Sequence, residues 1–101
     1  MIIFSNAKIN IGLHILRKRD DGFHDISTLM VPVPFNDIIE INLAKQKGNG
    51  FSMNQSGITV PGNIEDNLCY KSWELFCRER GITHVQLHLH KRIPLGAGLG
   101  G

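Results

Sequence analysis

The sequence predicts an α+β fold. Strand-like runs with period-2 alternation outnumber helical ones, only one stretch places apolar residues at helical spacing, and no regular βαβ alternation is present. The 101 residues carry a net charge of +2, with 42% hydrophobic and 20% charged residues, the ordinary balance of a globular chain. A chain of this size buries roughly 65% of its unfolded surface, enough for one modest core.

The elements follow from local pattern. Ile9, Ile11, Leu13 and Ile15 alternate with Asn10, Gly12, His14 and Leu16, which predicts a strand with one face in a core. Arg17 to Gly22 is polar and ends in Asp-Gly, a turn. Ile26 to Val33 reads as a second strand closed by Pro32 and Pro34. Proline cannot donate to a ladder, so this strand is expected at an edge or to end there. Asn36-Asp37 signals a turn, and Ile38 to Leu43 reads as a third strand with Glu40 and Asn42 toward water. Lys45 to Gly50 is expected to be a hairpin tip before Phe51-Ser52-Met53.

Asp66 or Asn67 is placed to cap a helix running through Arg80, with Gly81 closing it. Leu68, Cys69, Ser72, Leu75 and Phe76 form a stripe expected to pack on the sheet, widened by Trp73 and Cys77, with Lys71, Glu74 and Arg78 opposite. Val85, Leu87 and Leu89 then alternate with Gln86, His88 and His90 in a last strand.

Several function classes are disfavoured. A charge of +2 does not call for a nucleic-acid or acidic-membrane partner, and no apolar run approaches the roughly 18 residues of a membrane span. The N-terminus has no basic stretch before an apolar one, so it is not a secretory signal and a cytoplasmic protein is expected. Cys69 and Cys77, eight residues apart on one helix, would lie roughly 12 Å apart along its axis, too far for a disulfide. His84, His88, His90 and Gln86 share a strand face, expected to be a polar surface rather than a zinc site. Arg17-Lys18-Arg19 is followed at once by Asp20-Asp21, a solvated turn rather than an RNA contact.

Chemistry concentrates at the end of the chain, in Pro94-Leu95-Gly96-Ala97-Gly98-Leu99-Gly100-Gly101. Glycines let a backbone approach a ligand closely and turn its N–H groups inward, and a following helix would complete an anion site. The Gly-Lys-Ser/Thr of a P-loop is absent. Gly96, Gly98 and Gly101 match GxGxxG literally, but that fingerprint belongs to a first βαβ unit, and here five extended segments precede it. A strand and glycine loop of this kind normally feed a helix, so the sequence is expected to stop in mid-motif.

Lys91 to Gly101 resembles the opening of the phosphate loop of the GHMP small-molecule kinases, where Pro-x-x-x-Gly-Leu-Gly precedes small residues and serines. Asn6-Ala7-Lys8-Ile9-Asn10-Ile11 and Asp21-Gly22-Phe23-His24 resemble the branch of that family acting on a cytidine-diphosphate-linked methylerythritol. Ile39-Glu40-Ile41 and Asp66-Asn67-Leu68 fit in the same order, so the likeness runs over nearly the whole chain. It implies a ribosomal-S5-domain-2-like α+β domain, with residues 1–101 a partial N-terminal domain ending at the phosphate loop. It also implies ATP- and Mg²⁺-dependent phosphorylation of that substrate's 2-hydroxyl, in the non-mevalonate isoprenoid pathway.

Residue by residue, the resemblance makes Lys8 catalytic, able to stabilise charge at the phosphoryl group or to lower the pKa of the attacking hydroxyl. Asn10, two residues on and on the same strand face, would line the substrate pocket. Phe23 and His24 would stack on cytosine and hydrogen-bond its edge; many members have Tyr where Phe23 stands, so a hydroxyl is missing. Asn67 falls where nucleotide-base contacts are placed, although a helix cap explains it equally well. Pro94, Leu95, Gly96, Ala97, Gly98, Leu99, Gly100 and Gly101 would hold the ATP phosphates. The family's general-base Asp, the serines of its loop and its second domain lie beyond these residues, so the 101 residues alone are expected to be inactive. Two other readings compete: another GHMP kinase of homoserine or mevalonate type, and a non-catalytic S5-like RNA-binding or structural module.

Overall fold

The computed structural model describes residues 1–43, 50–80 and 84–100. Strands β1 (Ile2–Lys18) and β2 (His24–Leu43) pair antiparallel almost end to end as a long ribbon. They are followed by β3 (Gly50–Gly57), a 3₁₀ turn at Ile64–Asp66, helix α1 (Leu68–Arg80) and β4 (His84–Lys91). The four strands form one sheet in the order β1-β2-β4-β3. This is the mixed α+β architecture expected, with one addition: β3 and β4 are parallel, so α1 is the crossover of a single βαβ unit.

The Asn36-Asp37 turn and the separate third strand are corrected. β2 runs through both, and the irregularity is a bulge: Asn6 pairs with Asn36 while Ala7 pairs with Val33, which leaves Pro34 and Phe35 extra on β2. Of β2, β4 pairs with Ile38–Leu43 alone, so Pro32 and Pro34 lie where β2 has a single neighbour, as a missing donor requires. The hairpin expected across Lys45 to Gly50 is also corrected, because β4 lies between β2 and β3; residues 45–49 themselves lie outside the described residues. β4, with Val85, Leu87 and Leu89 buried, takes the central position. β3, with Ser52, Asn54, Gln55 and Ser56, suits an edge.

The first strand departs from its simple alternation. Gly12, at φ +64°, is an extra residue between the pairs Ile11–Leu29 and Leu13–Thr28. Leu29 and Thr28 face opposite sides, so the bulge puts Leu13 and Ile15 on the ribbon face opposite Ile9 and Ile11. All four are exposed rather than set in a core.

The core lies on the other half of the sheet. Register puts Ile39 and Ile41 beside Leu89 and Leu87, and Phe51 and Met53 beside Val85 and Leu87, on one face. Helix α1 covers that face through aromatic contacts: the Phe51 ring lies 5.5 Å from Tyr70 and 5.3 Å from Trp73. The helix starts after Asn67, whose side-chain oxygen accepts the Cys69 amide at 2.9 Å. The Gly81 closure lies outside the described residues. The packing stripe is partly corrected: Cys69, Tyr70, Trp73 and Cys77 are half-buried, whereas Leu68, Leu75 and Phe76 are exposed. Tyr70 meets the Phe51 ring edge-on and Trp73 lies tilted against it, so the side of the helix that carries these two rings is the one turned to the sheet. Both cysteines are free thiols, and burial pushes the Cys69 thiol up.

Candidate functional site

The deepest burial in the molecule lies under the start of the glycine loop. Ala7 is 0% and Ile93 1% exposed, and with Ile93 a carboxylate and an ammonium are buried, Asp37 and Lys91, joined at 2.5 Å. Asp37 Oδ1 also accepts the backbone amides of Arg92 (2.7 Å) and Ile93 (2.8 Å). Burial works against ionisation of Asp37, but the Ile93 amide, the Lys91 ammonium and the Arg92 amide outweigh it and hold its pKa below the usual carboxylate value. The β2 bulge adds one more contact, with the Arg92 guanidinium 5.3 Å from the centre of the Phe35 ring.

Beyond Pro94 the loop turns on glycines. Gly96, Gly98 and Gly100 have φ of +66°, +74° and +77°, and among the described residues every positive φ belongs to glycine, so the sign alternates through Ala97 and Leu99. Such alternation turns successive N–H groups to one side, the geometry of a backbone anion nest. Gly96 and Gly98 face open space, while a Cβ at Gly100 would lie 3.0 Å from Lys8 Cε.

That close approach marks where the two ends of the sequence meet. The Lys8 amide donates to the Leu99 carbonyl at 2.8 Å, and Lys8 Nζ donates to the Gly98 carbonyl at 3.0 Å. Lys8 Nζ also lies 3.4 Å from Asn10 Oδ1 on the same strand face. The structure therefore brings Lys8, Asn10 and the loop together. Beside them is a cleft of about 290 Å³ lined by Ser5, Asp37, Asn67, Lys91, Leu95 and Gly100, among others. Asn67 thus shares a cleft with the loop; its oxygen is committed to the helix cap, which leaves its amide nitrogen to contact a ligand. A larger recess of about 370 Å³ along residues 53–60 contains no charged side chain.

Phe23 and His24 are placed elsewhere, at the far tip of the ribbon. Ten residues of strand separate Lys8 from Lys18, a contour of roughly 33 Å. The tip is ordered by Arg17–Asp25 and Arg19–Asp21 ion pairs at 2.8 and 2.5 Å and by the Phe23 amide donating to Asp21 Oδ1. The Phe23 ring is 71% exposed. The structure does not bring this pair against Lys8. Gly101 lies outside the described residues.

On the opposite sheet face, the Ser56 hydroxyl bonds His88 Nε2 at 2.8 Å and His90 Nδ1 at 2.9 Å. Asp37 and Lys91 were not among the candidates read from sequence. The available signal was a lone carboxylate beginning an apolar run, Asp37-Ile38-Ile39, with a lysine closing the apolar alternation of β4.

The chain is 48% identical over all 101 residues to the 4-diphosphocytidyl-2-C-methyl-D-erythritol kinase of Cytophaga hutchinsonii, covering 36% of that protein. It is 46% identical to the kinase of the same name from Bacteroides thetaiotaomicron, covering 37% of it. The chloroplastic kinase of Mentha piperita matches the whole chain at 41% identity over 25% of its own length. A crystal structure of 4-(cytidine 5'-diphospho)-2C-methyl-D-erythritol kinase superposes with a TM-score of 0.78 at 31% identity, covering 100% of this chain and 35% of that one. The chain is similar throughout to the N-terminal part of this kinase. It spans about a third of the length of the bacterial relatives it matches. No protein-family model matches it. The fold corresponds to the N-terminal domain of a GHMP kinase.

Proposed function

We propose that the chain forms the lysine and phosphate-loop part of a kinase. In this reading the kinase transfers the γ-phosphoryl group of ATP to the 2-hydroxyl of 4-diphosphocytidyl-2-C-methyl-D-erythritol. The observation that carries this reading is the contact of Lys8 with the carbonyls of Gly98 and Leu99. Phosphoryl transfer is chiefly positioning and charge neutralisation. A fixed ammonium beside a phosphate-binding loop meets both needs, acting on charge at the transferred group or favouring ionisation of the attacking hydroxyl. Asn10 orients that hydroxyl from the same strand face.

The loop suits the ATP phosphates: alternating φ turns its amides to one side, and the open space at Gly96 and Gly98 admits an anion close to the backbone. Asn67 contributes its amide nitrogen toward the base. Among the described residues no group of three or more His, Cys, Asp or Glu converges as a metal site. Mg²⁺, when bound with ATP, would supply neutralisation of charge on the phosphates, the same task the Lys8 ammonium serves from the protein side.

Phe23 presents a free ring face for stacking on cytosine, and His24 a polar edge. For one substrate to reach both Lys8 and this pair, the ribbon has to curve, and the bulges at Gly12 and Leu16 are where strands bend. Two separate free thiols agree with a reducing, cytoplasmic setting.

The test is phosphoryl transfer from ATP to the cytidyl substrate, assayed with a chain of the relatives' full length and with the 101 residues alone. Turnover by the longer chain, competed by cytidine nucleotides, and none by the shorter is expected. A longer chain that ignores cytidine compounds and phosphorylates homoserine or mevalonate would falsify the reading in favour of another GHMP kinase.

A further inference from the structure

We propose that Asp37 is a positioning residue for the phosphate loop, setting the path of the loop through the amides of Arg92 and Ile93. This rests on the reading of residues 94–101 as a phosphate loop. The geometry divides the carboxylate's work. Oδ2 faces the Lys91 ammonium and neutralises it, while Oδ1 takes two consecutive backbone amides immediately before Pro94. Two amides converging on one oxygen fix the peptide planes at residues 91–93, and buried Ile93 pins the chain below them.

The loop is then held at two places. Asp37 holds its start, and the Lys8 amide holds Leu99 near its end. The glycines between have the backbone freedom to go astray, so the direction of their N–H groups depends on these two anchors. Asp37 touches the cleft but is engaged on both oxygens by the protein, which marks it as an organiser of the loop rather than a reacting group. The same arrangement explains why a charge pair sits in the best-buried part of a small domain. An apolar pair of the same volume would avoid the cost of burying two charges, but it would leave the amides of Arg92 and Ile93 without an acceptor.

The two roles of Asp37 separate experimentally in the full-length kinase. Asp37→Ala with Lys91→Met removes both charges and also the amide acceptor. Asp37→Asn with Lys91→Met removes both charges but keeps an oxygen where Oδ1 was. We expect the alanine pair to raise KM for ATP about tenfold while KM for the cytidyl substrate stays within about twofold, and the asparagine pair to restore the parent KM for ATP. An alanine pair with unchanged KM for ATP overturns the proposal. If the alanine pair does not fold, the asparagine pair decides: a parent-like KM for ATP supports the proposal, and a tenfold rise overturns it. A parent enzyme that transfers no phosphoryl group at all would instead count against the kinase reading, so the two failures are distinct.

Discussion

The Lys8 ammonium donates to the Gly98 carbonyl at 3.0 Å, joining the first strand to the last loop across 90 residues of sequence. This contact is solvent-exposed, so it does little for the fold, while it holds a positive charge beside the loop. On the proposed kinase reading, replacing Lys8 with Met in a chain of the relatives' full length should therefore lower kcat by about 10²-fold or more and change stability by less than about 1 kcal/mol. Steady-state kinetics alongside a thermal melt checks both. A variant that keeps half the parent kcat would remove Lys8 from the chemistry.

Gly100 and Gly98 offer a paired test of how closely lysine and loop approach. Alanine at either position adopts a left-handed backbone at a cost of about 1–2 kcal/mol. At Gly98 nothing lies within 4 Å of the new Cβ, whereas at Gly100 the Lys8 Cε and Cγ lie at 3.0 and 3.1 Å. Gly100→Ala should cost more than Gly98→Ala in denaturant titration of a chain of the relatives' full length. The excess should vanish when Lys8 is also alanine. Equal losses in both backgrounds would show that the lysine stem does not rest on the loop.

The parts that the structure brings together were legible where they are local: Ala7-Lys8 and the glycine run stand out within a few residues, and the cap at Asn67 follows from the apolar residues after it. Phe23-His24 stands out as clearly in the sequence but lies at the ribbon tip, away from Lys8. What escaped was set by parity and by tertiary pairing. One extra residue at Gly12 reverses the side chains of β1 from Leu13 to Ile15, a second at Leu16 reverses them back, and two extra residues let β2 run through its prolines, yet nothing in a period-2 pattern marks any of these bulges. In the sequence Asp37 reads as a turn residue, because it follows Asn36 and aspartate is common in turns. Its role as a buried acceptor depends on Lys91, Arg92 and Ile93, more than 50 residues away. The rotation of α1 was missed for a similar reason: the ring that decides it, Phe51, lies on a different element.

Asp37 also predicts the acid limb of stability. Its folded-state pKa lies below the ordinary value of 3.8, so its contribution is fully present above pH 3.8 and is lost as pH falls through the lower folded-state value. Asp37→Asn leaves the Lys91 ammonium buried without its counter-charge, a loss of about 3–5 kcal/mol at neutral pH. Denaturant titrations from pH 7 down to acid should show the variant weaker at pH 7 and the gap to the parent closing below pH 3.8. A gap that stays constant through acid would mean that Asp37 stabilises by packing alone.

Phe23 separates binding from folding. The ring is largely exposed at the ribbon tip, where the turn is held by Arg19, Asp21 and the backbone rather than by the aromatic side chain. On the proposed reading, Phe23→Ala should leave the melt of a chain of the relatives' full length unchanged. Its affinity for a cytidine nucleotide should fall by roughly 5- to 150-fold, the value of one base stacked on an aromatic ring. Calorimetric titration with a cytidine nucleotide makes the measurement, and unchanged affinity would remove Phe23 from the substrate site.

The ribbon itself predicts how the 101-residue chain behaves in isolation. The Gly12 bulge distributes its apolar side chains over both faces: Ile9, Ile11 and Leu29 on one, Leu13, Ile15, Ile26 and Met30 on the other, all exposed. Together with Leu68, Leu75 and Phe76 on the outer side of α1, this is far more apolar surface than a monomer normally shows to water, and it should drive self-association at micromolar concentration. Because the surface is two-sided, Ile11→Lys alone should reduce association only in part, and Ile11→Lys with Ile15→Lys should reduce it further. Sedimentation velocity of the parent and both variants checks the order. A parent chain that sediments as a single monomer and melts cooperatively would show that these side chains find cover within the 101 residues, against the exposure seen along both ribbon faces.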